Sequence, residues 1–181
     1  MKRKLIGNQS EFAIEYGFYD DTRETELSMF VEGKNILEFK HDNEILTTCW
    51  TLDELAMWLR DFIDNLKELP YPIKTNGKYA AEQDELARDN FESEDEEEMF
   101  SFYEKIWEWC YNHRWNHASE GAIIANVFFQ LVGDKVEISW DNRDLEEDYE
   151  FTYLQGGAYI DKEVFVDVVH KFLNEYADHW Y

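Results

Sequence analysis

The sequence predicts an α+β protein whose sheets are mostly antiparallel. Short segments of alternating apolar residues come in consecutive groups, and each group is followed by a segment with helical spacing. Because this order occurs twice, we expect two halves, each a strand meander plus a helix, joined by an acidic helical insert. A single domain over residues 1–181 would then comprise N-terminal strands plus a helix (1–72), the insert (73–121), and C-terminal strands plus a helix (122–181).

The first half opens with strands. Apolar residues occupy every second position in segments 12–18 and 27–31, which predicts two strands. A turn at 32–35 leads into a strand at 36–39, and a further strand is predicted at 45–50. Thr51 and Glu54 have the spacing of a capping box, which predicts the start of a helix. Apolar residues then recur at helical spacing until Pro70 and Pro72 end that helix.

The insert carries a dense acidic run between residues 82 and 98, opposed only by Arg88. Because like charges repel, we expect a frayed helix or a loose loop there unless a partner neutralises it. The carboxylates at 94–98 favour a helix that begins among them, since anions are stabilised at a helix N-terminus. This helix is predicted to bury a broad face that includes Phe100, Trp107 and Tyr111, and to end at Gly121.

The second half repeats this order. Two strands that share one apolar face and turn at 133–135 predict a hairpin. The apolar residues of that face are Val127, Phe129, Leu131, Val136, Ile138 and Trp140. A strand at 151–154, a turn at Gly156 and Gly157, and a helix capped by Asp161 follow. Five residues of this last helix are predicted to face inward: Phe165, Val168, Val169, Phe172 and Tyr176.

The charge balance is strongly acidic. The chain has 41 Asp and Glu against 17 Lys and Arg, a formal net charge of -24. Such a surface argues against direct nucleic-acid binding and against docking on anionic lipid. Aromatic residues make up 17% of the chain, which favours a folded domain over a disordered one. The two cysteines form no disulfide framework, and neither a signal peptide nor a membrane span is evident, so we expect a cytoplasmic protein.

No catalytic motif is evident, and neither an enzyme nor a cofactor is expected. The chain has no HExxH and no GxSxG motif, Ser139 lies inside a predicted strand, and the Gly156–Gly157 pair lacks a phosphate-loop pattern. An alternative is a zinc site formed by Cys110, His113 and His117, which share one face of the predicted helix. Because that face continues upstream as plain apolar residues, we favour a core role for the three.

The acidic surface is the main functional feature. Its simple explanation is solubility, and its functional one is recognition of a basic partner protein. The candidate partner-binding residues fall in two clusters: Glu94, Asp95, Glu96, Glu97 and Glu98, and Asp141, Asp144, Glu146, Glu147 and Asp148. The neighbouring Phe91, Trp140 and Tyr149 would serve either as apolar anchors for that partner or as core.

Three segments carry a resemblance: RWNHASEG at 114–121, NVFF at 126–129 and VEISWD at 136–141. They resemble a pattern of small bacterial proteins found among toxin-immunity and defence genes. In type, the chain is similar to immunity proteins of bacterial polymorphic toxin systems, which are small, cytosolic, acidic, α+β and non-enzymatic. The resemblance implies that the protein occludes the active site of a toxin, often a nuclease whose basic groove accepts phosphates.

Three other functions stay open at this level. A DNA-mimic inhibitor of a restriction or defence enzyme would use the same electrostatics, with carboxylates spaced like duplex phosphates. An acidic chaperone would present a large apolar patch to its client and form a dimer. An enzyme or metal protein would use His113 and His117. The favoured function is a non-enzymatic acidic protein that binds and inhibits a basic partner protein.

Overall fold

A computed structural model describes residues 3–19, 24–115, 125–143, 145 and 149–180. Within this part the strands are β1 (Arg3–Asn8), β2 (Phe12–Phe18), β3 (Thr25–Val31), β4 (Lys34–Asn35), β5 (Phe39–His41), β6 (Glu44–Leu46), β7 (Thr48–Trp50), β8 (Val127–Val132), β9 (Lys135–Asp141), β10 (Glu150–Phe151) and β11 (Gln155–Asp161). The helices are α1 (Asp53–Asp64), α2 (Ala80–Asp89), α3 (Glu96–His113) and α4 (Lys162–Trp180). The strand pairs among the described residues are antiparallel, which confirms the α+β prediction.

The N-terminal sheet is built on β1, β2 and β3, and both β4 and β7 pair with β3. The predicted strands at 12–18 and 27–31 are confirmed. The predicted strand at 36–39 is wrong for residues 36–38, which turn between β4 and β5 with Ile36 and Leu37 fully buried. The predicted strand at 45–50 divides at Thr47, because β6 pairs with β5 whereas β7 pairs with β3. The Thr47 hydroxyl donates to the Leu27 carbonyl at this point.

Helix α1 starts without the predicted capping box. Leu52 is the N-cap residue and makes no side-chain cap bond, so Thr51 lies one position too early to cap the helix. The helix ends at Asp64, well before Pro70. At this end the backbone N–H and the side-chain amide of Asn65 both donate to the Asp61 carbonyl. Termination here depends on local hydrogen bonds rather than on proline.

The C-terminal sheet has the order β11-β9-β8, and the predicted hairpin is confirmed. Its register pairs Val127 with Trp140, Phe129 with Ile138 and Leu131 with Val136, which places these side chains on one face. This face and the inward residues of α4 join the N-terminal sheet in one buried cluster. Ring contacts across the halves include Phe12 with Phe165, whose centroids lie 5.1 Å apart.

Helix α4 buries the five side chains that its spacing predicts. It packs against β1, β2, β9, β11 and α1, so one helix covers parts of both sheets. The carboxylate of Asp161, the predicted cap residue, accepts a bond from Lys135 Nζ. A third sheet, β10-β5-β6, pairs Phe151 with Phe39 and joins the two halves again.

The predicted turn at Gly156 and Gly157 is wrong, because both residues lie inside β11. They pair with Trp140 and Ser139 of β9. A Cβ atom at position 156 would lie 2.5 Å from Trp140 Cζ2, and one at position 157 would lie 2.6 Å from Tyr79 Cγ. Glycine is therefore required by two aromatic rings that lie directly on the strand.

The insert covers the second face of the C-terminal sheet. Phe128 of β8 packs there with Ile106, Trp109 and Cys110 of α3 and with three alanines of α2. The expectation of a frayed helix or a loose loop is wrong for residues 80–89, which form α2. Burial of the apolar side of α2 stabilises this helix. Across the described ranges, no helix combines the length and apolarity that crossing a bilayer requires.

Candidate functional site

The first predicted acidic cluster forms the ordered start of α3. Asp95 is the N-cap residue, and its Oδ1 accepts bonds of 3.0 Å from the backbone N–H groups of Glu97 and Glu98. Glu96, Glu97 and Glu98 occupy the first turn, where the helix dipole stabilises negative charge, so the expectation of a helix beginning here is confirmed. These carboxylates are exposed and remain available to a partner.

The expected broad buried face of α3 is wrong. Ile106, Trp109, Cys110 and His113 are buried, but Phe100, Trp107 and Tyr111 are exposed to 70%, 60% and 59%. The cause is that α3 packs through one side only, on the sheet and on α2. Exposed large aromatic side chains in a row on one helix are typical of interaction surfaces.

These side chains form a continuous row. Positions 100, 103, 107 and 111 follow helical spacing, so Phe100, Tyr103, Trp107 and Tyr111 lie one above the other along α3. The rings of Trp107 and Tyr111 have centroids 5.7 Å apart. We call this row, together with the exposed carboxylates that run beside it, the α3 surface. Its carboxylates are Glu97, Glu104 and Glu108.

A groove between α1 and α3 continues the α3 surface. The indole N–H of Trp58 donates to the Tyr111 carbonyl at 3.3 Å and joins the two helices. Trp58 stacks on Phe62 with their ring centroids 5.4 Å apart, and both side chains are partly buried against the main core. Met57 is 64% exposed at the edge of the groove. We call this feature the α1–α3 groove.

Of the second predicted cluster, Asp141 is described, whereas Asp144, Glu146, Glu147 and Asp148 lie outside the described residues. The Asp141 carboxylate accepts from Arg143 Nε at 2.9 Å, and Arg143 also contacts Glu85. The charge of Asp141 is thus compensated within the chain, whereas Glu97, Glu104 and Glu108 form no ion pair with the described residues.

The three aromatic residues proposed as anchors have structural contacts. Trp140 belongs to the main core, and Phe91 stacks on Phe102 with centroids 4.0 Å apart. Tyr149 stacks on His41 with centroids 4.8 Å apart. The most exposed aromatic side chains among the described residues are instead Phe100, Trp107 and Tyr111 of α3, which spacing alone assigned to the core.

The proposed zinc ligands have other surroundings. Cys110 lies 3.8 Å from Asp84 Oδ1, and burial, followed by the nearby Asp84 carboxylate, raises the pKa of its thiol to about 12. The Cys110 side chain is buried beside Asp84. His113 Nδ1 donates to the Trp109 carbonyl at 2.8 Å, and His117 lies outside the described residues. Within the described ranges, no group of three or more His, Cys, Asp or Glu side chains is arranged to hold a metal ion.

A buried polar network between β8, β9 and the start of α2 was not predicted from the sequence. Glu137, 1% exposed, accepts from the Ala80 backbone N–H at 2.6 Å, from Ser139 Oγ at 3.0 Å and from Gln130 Nε2 at 2.8 Å. Ser139 also accepts from the Ala81 N–H, so two strand side chains cap α2. The available signal was Glu137 and Ser139, which alternate with apolar residues in β9, but such alternation is also typical of a strand side that faces solvent.

Comparisons with known proteins give one informative result. Residues 34–179 match DUF5984, described as a family of unknown function, so the matched region runs from β4 into α4. No curated protein and no solved structure matches the chain.

Proposed function

Because the chain belongs to the DUF5984 family, whose function is unknown, we propose its function from its own surface. We propose that it is a non-enzymatic inhibitor that binds a basic protein, as an immunity protein that neutralises a toxin such as a nuclease. The observation that carries this proposal is the α3 surface, where exposed aromatic side chains run beside exposed carboxylates that form no ion pair with the described residues.

The two kinds of side chain have different roles in this proposal. Carboxylates steer a basic partner towards the surface and pair with its Lys and Arg side chains. Trp107 and Tyr111 supply the apolar contact that makes the complex long-lived, because buried aromatic side chains dominate interface energetics. A nucleic-acid enzyme fits this description, since a groove built for phosphates also attracts carboxylates.

The aromatic row favours an immunity protein over a DNA mimic. A duplex presents charged phosphates on its outside, and its mimic needs carboxylates rather than protruding indole and phenol rings. Shape-specific aromatic contacts select one partner, whereas phosphate mimicry acts on many DNA-binding enzymes. A cytoplasmic location is part of the proposal and is supported by the free thiols of Cys49 and Cys110.

The proposal is tested by capture followed by reconstitution. Proteins from the source organism that bind the chain at low salt are identified, and a basic one is purified and assayed for its own activity. We expect inhibition at a 1:1 ratio, with affinity that falls as salt is raised. A captured protein that keeps its activity when saturated would refute the proposal, as would inhibition of several unrelated DNA enzymes.

Two variants locate the surface. Trp107→Ala should weaken binding roughly 30-fold, the effect of losing a central aromatic contact of about 2 kcal/mol. Glu104→Lys combined with Glu108→Lys should weaken binding about tenfold or more, mainly through slower association. The control is Glu163→Lys with Asp167→Lys, two charge reversals at the same spacing on the exposed side of α4, where Asp167 pairs with Lys171. Equal losses for the two double variants would contradict the assignment to α3.

A further inference from the structure

The α1–α3 groove runs along the whole of α1. Groove residues on this helix recur at helical spacing from Glu54 through Met57, Trp58 and Asp61 to Asn65. At 1.5 Å per residue the groove wall is about 17 Å long, the length of three helical turns. Leu69 and Tyr111 line the same groove from the following loop and from α3.

The groove is apolar inside and acidic along α1, with one basic side chain, Lys67, at the loop end beside Leu69. The partly buried rings of Trp58 and Phe62 lie within it, with Met57 and Leu69 exposed beside them. Glu54 and Asp61 are exposed two helical turns apart along α1, a separation of about 10 Å. The groove therefore presents an apolar strip with negative charges at a helical repeat.

We propose that the α1–α3 groove receives an amphipathic helix of the basic partner, an inference that rests on the proposed function. That helix carries apolar side chains at helical spacing, which contact Trp58 and Met57, and Lys or Arg side chains that pair with Glu54 and Asp61. Continuity with the α3 surface through Tyr111 makes both features parts of one interface.

The backbone of the groove walls selects a helix over an extended segment. The walls are mainly helical, so most of their backbone groups are used within α1 and α3, and the Tyr111 carbonyl accepts from the Trp58 indole. An extended segment would bury unpaired backbone groups in such a groove, because none of the described residues that line it belongs to a strand. A helix satisfies its own backbone and presents only side chains to the walls.

The test uses synthetic peptides of about 18 residues in three designs. The first design places Leu, Phe or Trp on one helical face and Arg on the flanks. The second has the same composition in a period-2 order that forms no apolar helical face. The third replaces each Arg by Glu. Binding is measured by titration of the full chain at low and moderate salt, monitored by tryptophan fluorescence and amide chemical shifts.

We expect members of the first design to bind at least tenfold tighter than members of the other two. Amide chemical shift changes should be confined to α1, α3 and the loop that joins α1 to α2. Met57→Arg should reduce this binding about tenfold. The matched control, Leu154→Arg, makes the same change at an apolar residue 52% exposed outside the groove and should leave binding unchanged. Equal binding of the first two designs, or equal effects of the two variants, would overturn the inference.

Failure of this inference is distinguishable from failure of the proposed function. If Trp107→Ala abolishes inhibition of the partner while Met57→Arg leaves it intact, the α3 surface binds the partner and the groove does not. If the chain forms a dimer that Met57→Arg dissociates, a second copy occupies the groove. Absence of binding by any peptide of the first design also overturns the inference.

Discussion

At the scale of single residues, Glu137 is a buried carboxylate held by several donors. Its carboxylate accepts three bonds from donors on two strands and on the start of α2. The pKa of Tyr159 is raised to about 12, first by burial and then by the charge of this same carboxylate. In each of these three bonds a carboxylate oxygen of Glu137 is the acceptor.

Replacing this carboxylate by an amide should destabilise the fold. Glu137→Gln keeps the shape but directs an NH2 group towards donors, so one buried group loses its bond, at a cost of about 1–3 kcal/mol. The measurement is urea denaturation of the variant and of Glu150→Gln, an exposed control. If both variants unfold at the wild-type urea concentration, the network does not stabilise the packing of α2 on the sheet.

The imidazole of His113 gives stability a pH dependence. Burial lowers the pKa of His113, and its ring stacks on Trp109 with centroids 4.2 Å apart. Below the unfolded pKa of about 6.5, the unfolded chain binds a proton that the folded chain does not. Stability from this group is therefore present above pH 6.5 and is lost as the pH falls towards the lowered folded value.

The expected result is a difference between variants. From pH 7.5 to 5.5, wild type should lose more unfolding free energy than His113→Gln, which keeps a donor for the Trp109 carbonyl. His170→Gln, at an exposed site on α4, should follow wild type. Identical pH profiles for all three proteins would show that His113 titrates alike in both states.

At the scale of elements, α3 depends on its N-cap. Asp95→Ala removes the acceptor of two backbone N–H groups and should lower stability by about 0.5–2 kcal/mol. Glu94→Ala, one residue earlier and exposed, removes the same charge without a cap bond. Thermal unfolding of both variants separates the cap from the general loss of negative charge. Equal shifts in melting temperature would contradict a capping role.

Elements were predictable where local pattern and packing agree. The hairpin β8–β9 and the buried side of α4 follow from spacing alone, because the period of the apolar residues identifies both the type of element and its buried side. Gly156 and Gly157 indicated a turn, but their role is to admit the rings of Trp140 and Tyr79, which come from distant positions. Such tertiary contacts leave no local signal.

The candidate site was predicted only in part. The acidic start of α3 was expected, because charge at a helix N-terminus is a local property. The exposure of Trp107 was not, since helical spacing tells which residues share a side of a helix and not whether another element covers that side. The apolar anchors were therefore sought at Trp140, which is core.

At the scale of the whole molecule, the net charge of -24 acts on folding and on binding with opposite signs. Repulsion among carboxylates destabilises the compact state, and salt screens that repulsion. Raising NaCl from about 10 to about 150 mM should increase the unfolding free energy while it weakens capture of the basic partner. Melting curves and binding titrations in the same buffers check both signs. If salt raises both the unfolding free energy and the affinity for the partner, or lowers both, one of the two effects is not electrostatic.

The position of α4 also affects how the chain folds during synthesis. Helix α4 covers β1 and β2, yet residues 162–180 leave the ribosome long after residues 3–18. At ordinary elongation rates the delay is on the order of ten seconds. During that interval the apolar side of β2 has no final cover, so the nascent chain depends on chaperones or on transient collapse to avoid aggregation.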